Sequence, residues 1–257
     1  MERPRERGAA GGGSEWVRRP VPSAARRRLV CFPHAGGAAS WYAPLARRLA
    51  DDVEVVALQY PGRQDRLSEP CLASIAALRD AVVPELLDGW LDRPFALFGH
   101  SMGAVVAYEV ARALEHGHDR VARGLFVSGR RAPTTHRDEH VHRGGDPSLL
   151  REVARLAGTP AELLDDPDVH EMMLPALRGD YQAIETYAWR PGPEPSSPVW
   201  ALAGDDDPLT SPRDAAAWRP HTSGRFEVVS LPGRHFFLAD HPAAVAALVR
   251  EAFTAGG

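Results

Sequence analysis

Gly99-His100-Ser101-Met102-Gly103 fits Gly-x-Ser-x-Gly, and it stands where that pattern has a mechanical meaning. A short apolar run, Phe95–Phe98, reads as a buried strand leading directly into it. Met102–Leu114 leaves it as a helix, with Ala104, Val105, Ala107, Tyr108, Ala111 and Leu114 at helical spacing. A serine on the tight turn between such a strand and helix is held in a strained backbone conformation, with its hydroxyl pushed above the sheet. The flanking glycines are required because a Cβ at either would collide with the packed strand and helix. The helix N-terminus adds free N–H groups and partial positive charge beside an oxygen reacting at Ser101.

A serine hydroxyl is a poor nucleophile without a base. Where such an elbow carries the nucleophile, the acid and then the histidine follow on loops after later strands. Of eleven histidines, His116 and His118 end a helix, and His136, His140, His142 and His170 lie in a long interruption of the strand pattern. His221 precedes the last strand. His235 follows it, in Leu231-Pro-Gly-Arg-His235, and is the candidate base. His241 competes, but it adjoins Pro242 at a helix start. The acid should follow the strand Val199–Ala203, where Asp205, Asp206 and Asp207 stand together before Pro208. Spacing does not choose among them; Asp207 ranks first and Asp206 second. An oxyanion hole needs two N–H donors: Met102, after the nucleophile, and one from the loop His34-Ala35-Gly36-Gly37 after the first clear strand, where Ala35 is favoured. His34 itself reads as a residue that shapes the pocket without titrating.

Short apolar runs alternating with amphipathic stretches must position these groups. Strands are expected at Leu29–Phe32, Val53–Leu58, Phe95–Phe98, Gly124–Ser128, Val199–Ala203 and Phe226–Leu231. Helices are expected at Trp41–Leu49, Ile75–Leu87 (kinked or ended by Pro84), Met102–Leu114 and Pro242–Phe253. That alternation implies an α/β fold, a mostly parallel sheet with helices on both faces. Between Ser128 and Val199 no run looks like a strand, while Pro147–Ala157 and Pro167–Trp189 look helical. So long a gap reads as a helical insertion, a lid, over about 136–195.

The chain has 257 residues, 44% of them hydrophobic and 25% charged, enough for one sizeable core over residues 29–257. A net charge of -4 gives no reason to expect nucleic acid. Residues 1–28 carry eight arginines and three glutamates among Gly, Pro and Ala, and read as a disordered arm. Every basic residue is an arginine. Two cysteines, Cys31 and Cys71, support neither a disulfide framework nor a four-ligand zinc site, and the His136/His140/His142 stretch is too polar to suggest a fixed metal site. No cofactor or metal is expected. No apolar run approaches a membrane span, and the start lacks the apolar core of a secretory signal, so the expectation is a cytoplasmic monomer without membrane contact.

Together these features resemble the type II thioesterases of polyketide and nonribosomal peptide assembly lines. The matches are Phe32-Pro-His-Ala-Gly-Gly37, Tyr60-Pro-Gly-Arg63 with Arg66-Leu67, Gly99-His-Ser-Met-Gly103, Leu174-Pro-Ala-Leu-Arg178 with Asp180, Glu185 and Tyr187, Gly204 with Asp207, and His235-Phe-Phe237, in family order over residues 29–253. The family spacing of glycine, two variable residues and the acid supports Asp207. The resemblance implies an α/β-hydrolase fold with a helical lid. It also implies a serine thioesterase that removes acyl groups from the phosphopantetheine thiol of an acyl- or peptidyl-carrier protein, usually to clear stalled or wrongly primed chains. Such carriers are usually acidic, and arginines of the arm with Arg63, Arg66 and Arg234 are candidates to meet one. Two features depart from the family: the longer arm, and Arg234 where glycine is common. Alternatives are a chain-releasing carrier thioesterase, a general esterase or lipase, and a non-catalytic binding protein on the hydrolase scaffold.

Overall fold

Runs of apolar residues without polar alternation can only be strands if both sheet faces are covered. In the computed structural model, which describes residues 14–156 and 166–254, they are. The strands are β1 (Val17–Arg18), β2 (Arg28–Phe32), β3 (Glu54–Leu58), β4 (Phe95–His100), β5 (Leu125–Ser128), β6 (Val199–Gly204) and β7 (Phe226–Leu231). The helices are α1 (Ala43–Leu49), α2 (Ile75–Leu87), α3 (Met102–His118), α4 (Asp146–Leu156), α5 (Pro167–Glu185), α6 (Pro212–Ala216) and α7 (Pro242–Ala252). Among the described residues they form one seven-stranded sheet in the order β1-β3-β2-β4-β5-β6-β7, parallel throughout except for β1 against β3. β2 through β6 are buried at every position, while edge strand β7 is only partly covered.

The pleat sends alternate residues to opposite layers. Val30, Phe32, Val56, Leu97 and Val127 pack against α2, α3 and α6 through Leu78, Val82, Val106 and Ala215. Leu29, Val55, Phe98, Phe126 and Leu202 pack against α1 and α7 through Leu45, Leu49, Val245 and Val249. This is the mostly parallel, doubly covered sheet that the alternation predicts, and it agrees with the α/β-hydrolase fold that the resemblance implies. The chain turns one way from β2 to β3 and the other way from β4 to β5, so the loops leaving β2 and β4 diverge above the sheet. A crevice at such a switch point is where open parallel sheets hold ligands.

Two elements differ from the sequence reading, the N-terminal arm and the end of α5. The predicted arm over 1–28 is ordered from Ser14 onward; residues 1–13 of it lie outside the described residues. Val17 pairs antiparallel with Leu58 and is 5% exposed, Arg19 pairs with the buried Glu54 at 2.5 Å, and the Arg66 guanidinium lies 4.4 Å from the Trp16 ring centroid. One buried valine and a few charge-directed contacts hold a segment whose composition alone reads as solvated. α2 covers the expected Ile75–Leu87 and runs through Pro84 rather than ending there. α5 stops at Glu185 rather than near Trp189.

The insertion between β5 and β6 contributes α4 and α5; residues 157–165 of the predicted lid lie outside the described residues. Its return to β6 is firmly tied, contrary to what its proline content suggests. The Tyr187 hydroxyl donates to Glu109 at 2.7 Å, Trp189 Nε1 donates to the Tyr108 hydroxyl at 3.1 Å, and Ser196 N–H donates to Glu115 at 2.9 Å. The start of the insertion has no fully buried residue between 136 and 146. Local opening should therefore concentrate there. Amides of residues 136–146 are expected to exchange with deuterium faster than those of Met102–Leu114; equal protection would mean the insertion is as rigid as the sheet's helices.

Candidate active site

β4 runs straight into Ser101, and α3 starts at the next residue. Ser101 has φ 53° and ψ −118°, a conformation that strongly disfavours a side-chain-bearing residue, fixed in part by its N–H donating to Ser128 O at 2.8 Å. The glycines permit the turn. A Cβ on Gly99 would lie 2.0 Å from Gly103 O, and one on Gly103 would lie 2.0 Å from Phe32 O. Strand, turn and helix are thus in backbone contact, and Ser101 is lifted into a cavity that also exposes His34, Ala35, Met102, His235 and Phe236.

His235 is 1% exposed, and its Nδ1 lies 2.9 Å from Oδ2 of Asp207, whose side chain is wholly buried. A carboxylate only accepts, so Nδ1 is assigned the proton and Nε2 is left as an acceptor. The second Asp207 oxygen accepts from Leu209 N–H at 2.8 Å, which fixes the carboxylate plane. The three adjacent aspartates part company here. Asp205 accepts from Gly233 N–H at 2.8 Å and shapes the turn, Asp206 is exposed, and Asp207 alone of the three bonds His235. His241 bonds the Pro232 carbonyl at 2.9 Å at the start of α7 and does not line this cavity.

The Ser101 hydroxyl makes no hydrogen bond among the described residues; it and His235 are brought together as walls of one cavity. Ala35 and Met102 line the same space. Met102, at the first position of α3, has no intrahelical partner for its N–H, and the Ala35 N–H likewise meets no acceptor among the described residues. A serine, an imidazole backed by a carboxylate, and two unengaged backbone donors can together attack a carbonyl carbon and hold the oxyanion that forms.

Two further histidines surround this group. His34 packs edge-on to Trp41 and Phe236, at 4.9 and 4.8 Å between centroids, and Gly37 leaves it room, since a Cβ there would lie 2.7 Å from Cε1. Burial, with the His235 and Arg63 charges, lowers its pKa to about 3. His100 stacks on Trp41 at 5.3 Å, its Nδ1 sits 3.0 Å from the Ser128 hydroxyl, and burial holds its pKa well below the usual imidazole value. Both rings stay neutral at neutral pH; His34 forms an aromatic wall of the cavity, and His100 packs behind it.

The insertion roofs the cavity: α4 supplies Glu152, Arg155 and Leu156, and α5 supplies Tyr181 and Ile184. Arg130 and Glu139 also line it, among apolar residues that include Val141 and Leu209. Arg63 and Arg66, candidates for meeting an acidic carrier, are each 5% exposed and cannot reach one. Arg63 is bidentate to Asp180, while Arg66 pairs with Glu69 and bonds the Gln59 carbonyl at 2.8 Å. Of the three, Arg234 is exposed. Among the described residues no three His, Cys, Asp or Glu side chains converge as metal ligands; His140 pairs with Asp138, and His142 with Glu185. No described helix is long and apolar enough to cross a membrane. The sequence reading assigned no role to the Arg63–Asp180 pair, although both residues stand in its quoted motifs.

Residues 27–253 match the thioesterase domain family. Over 227 residues the chain is 48% identical to the thioesterase PikA5 of Streptomyces venezuelae, a match covering 88% of this chain and 80% of that protein. It is 47% identical over 241 residues to a probable cadicidin biosynthesis thioesterase of Streptomyces griseus, covering 93% of this chain and 66% of that one. Among solved structures, the type II thioesterase BorB from the borrelidin biosynthetic cluster superposes with a TM-score of 0.85 at 43% identity, over 92% of this chain and 97% of BorB.

Proposed function

The chain belongs to the thioesterase family, and on that premise we propose that it hydrolyses acyl groups from the phosphopantetheine thiol of carrier proteins in a polyketide or nonribosomal peptide pathway, using Ser101, His235 and Asp207. The observation that carries this reading is the shared cavity, which Ser101, His235, Ala35 and Met102 line together, with Asp207 bonded behind His235.

In this reading His235 Nε2 takes the Ser101 proton as Oγ adds to the thioester carbonyl. The carbonyl electrons move onto oxygen, where the Ala35 and Met102 N–H groups hold them. Collapse expels the pantetheine thiolate, which takes the proton back from His235, and leaves an acyl-Ser101 ester. Water, deprotonated by His235, adds to the ester carbonyl, and collapse releases the acid as Ser101 Oγ takes the proton back from His235. Asp207 keeps His235 in the required tautomer and stabilises its cation.

A carrier-borne substrate makes a kinetic prediction. Charges at the rim of an interface act mainly on encounter rate and are screened by salt. An acyl-carrier protein is expected to give higher kcat/KM than the same acyl group on N-acetylcysteamine, with the advantage shrinking as ionic strength rises. Deleting residues 1–13 should reduce that advantage if their arginines meet the carrier. Equal kcat/KM for the two substrates at low salt would remove carrier recognition and leave a generic thioesterase.

A further inference from the structure

We propose that Asp180, with Arg63 as its counter-ion, is a positioning residue that sets the oxyanion-binding loop from the insertion helix α5. The proposal deepens the serine thioesterase reading and rests on it.

The loop after β2 is packed at His34 but has few hydrogen bonds of its own. His34-Ala35-Gly36-Gly37 lies between a strand end and a 3-10 turn, and one internal bond, Gly37 N–H to His34 O at 2.9 Å, closes it. Its other fastening comes from far along the chain. Asp180 Oδ2 accepts from the Gly36 N–H at 2.8 Å and from Arg63 at 2.6 Å, Oδ1 accepts from Arg63 at 2.9 Å, and Arg63 also donates to the Gly37 carbonyl at 3.1 Å. Asp180 is 0% exposed and Arg63 is 5% exposed, so these are charge-assisted bonds in a site shielded from water.

This arrangement does three things to the loop. It occupies the Gly36 and Gly37 N–H groups between the Asp180 carboxylate and the His34 carbonyl, which leaves the N–H of Ala35, a residue that lines the cavity, as the unengaged donor of the three. It holds Gly36 at φ +73°, and a Cβ there would sit 2.5 Å from Leu177 Cδ2 one turn before Asp180, so loop and helix are also in van der Waals contact. It also cancels a charge. A bare carboxylate one residue from an oxyanion donor would oppose the negative charge of the transition state, and the bidentate Arg63 neutralises it.

α5 is therefore fastened into the catalytic frame. If the insertion opens to admit a carrier-borne chain, the moving part has to leave Asp180 in place, since its withdrawal would strand Arg63 unpaired in the interior and release the oxyanion loop.

The test uses two variants of the full chain. Asp180→Asn removes the charge that holds Arg63. The double variant Arg63→Met with Asp180→Leu removes both charges, a replacement that buried ion pairs often tolerate in stability, and it leaves Gly36 without its acceptor. Each is compared with the wild type in kcat, KM and affinity for two analogues of the acyl-pantetheine substrate. A trifluoromethyl ketone forms a tetrahedral adduct on serine and needs the oxyanion hole, whereas an amide stays planar and does not. Since the loop supplies one of two donors, the double variant is expected to lose roughly 10²-fold in kcat and a similar factor for the trifluoromethyl ketone. KM and amide affinity are expected to be nearly unchanged, and Asp180→Asn is expected to lose in the same direction.

A double variant with wild-type kcat, or one that weakens both analogues equally, would overturn the positioning role, the second outcome pointing to a general effect on the pocket. A wild-type enzyme that fails to bind the trifluoromethyl ketone would overturn the serine mechanism itself, and this proposal with it.

Discussion

Replacing Ser101 by alanine is expected to lower kcat by about 10⁶-fold, the cost of removing the nucleophile from a group that acts as a unit. The fold should survive. Met102 N–H and the strand–turn–helix contact depend on Gly99 and Gly103, where a Cβ would collide with backbone, and not on the serine hydroxyl, which makes no hydrogen bond among the described residues. Thermal unfolding of Ser101→Ala should therefore occur near the wild-type Tm. Thiol release followed on an acyl-pantetheine substrate measures the rate. A variant that retains more than a small fraction of activity would mean that water is activated without a covalent intermediate.

Asp207→Asn is expected to lower kcat by about 10³–10⁴-fold, a loss of roughly 4–5.5 kcal/mol of transition-state stabilisation. The amide is nearly isosteric but presents an N–H₂ or a neutral oxygen at the position 2.9 Å from His235 Nδ1. Its neutral oxygen cannot stabilise an imidazolium, and its N–H₂ would favour the tautomer with the proton on Nε2, the one that cannot take the serine proton. Asp206→Asn supplies the control. Asp206 is exposed and meets His235 nowhere, so that variant should run at close to the wild-type rate. If Asp206→Asn is the more damaging substitution, the acid has been misassigned.

What sequence alone made legible follows the range over which each signal acts. The elbow is local: an apolar strand, a turn and an amphipathic helix sit within twenty residues of Ser101, so pattern places them, and strand β7 and helix α2 fall on the predicted residues. The acid needed more. Asp205, Asp206 and Asp207 are equivalent by spacing, and only the turn against Gly233 sends the first into the backbone and the third toward His235. β1 escaped because its signal is a single buried valine among arginines and prolines, and a two-residue strand has no periodicity to detect. The Asp180–Arg63 pair was hidden for a different reason. The partners are 117 residues apart, and nothing in either local stretch says that both side chains are buried or that a backbone N–H is their third partner. Arg63 and Arg66 show the same limit from the other side: arginine reads as surface charge until its counter-ion is placed.

The central claim is that this chain removes acyl groups from carrier-bound phosphopantetheine through Ser101. Its most direct measurement is intact-protein mass spectrometry of an acyl-carrier protein after incubation with wild-type enzyme or with Ser101→Ala. The predicted result is loss of the acyl mass, leaving the free phosphopantetheine thiol on the carrier, with the wild type only. A carrier that keeps its acyl group in the presence of the wild type, or that loses it equally fast with Ser101→Ala, would contradict the account.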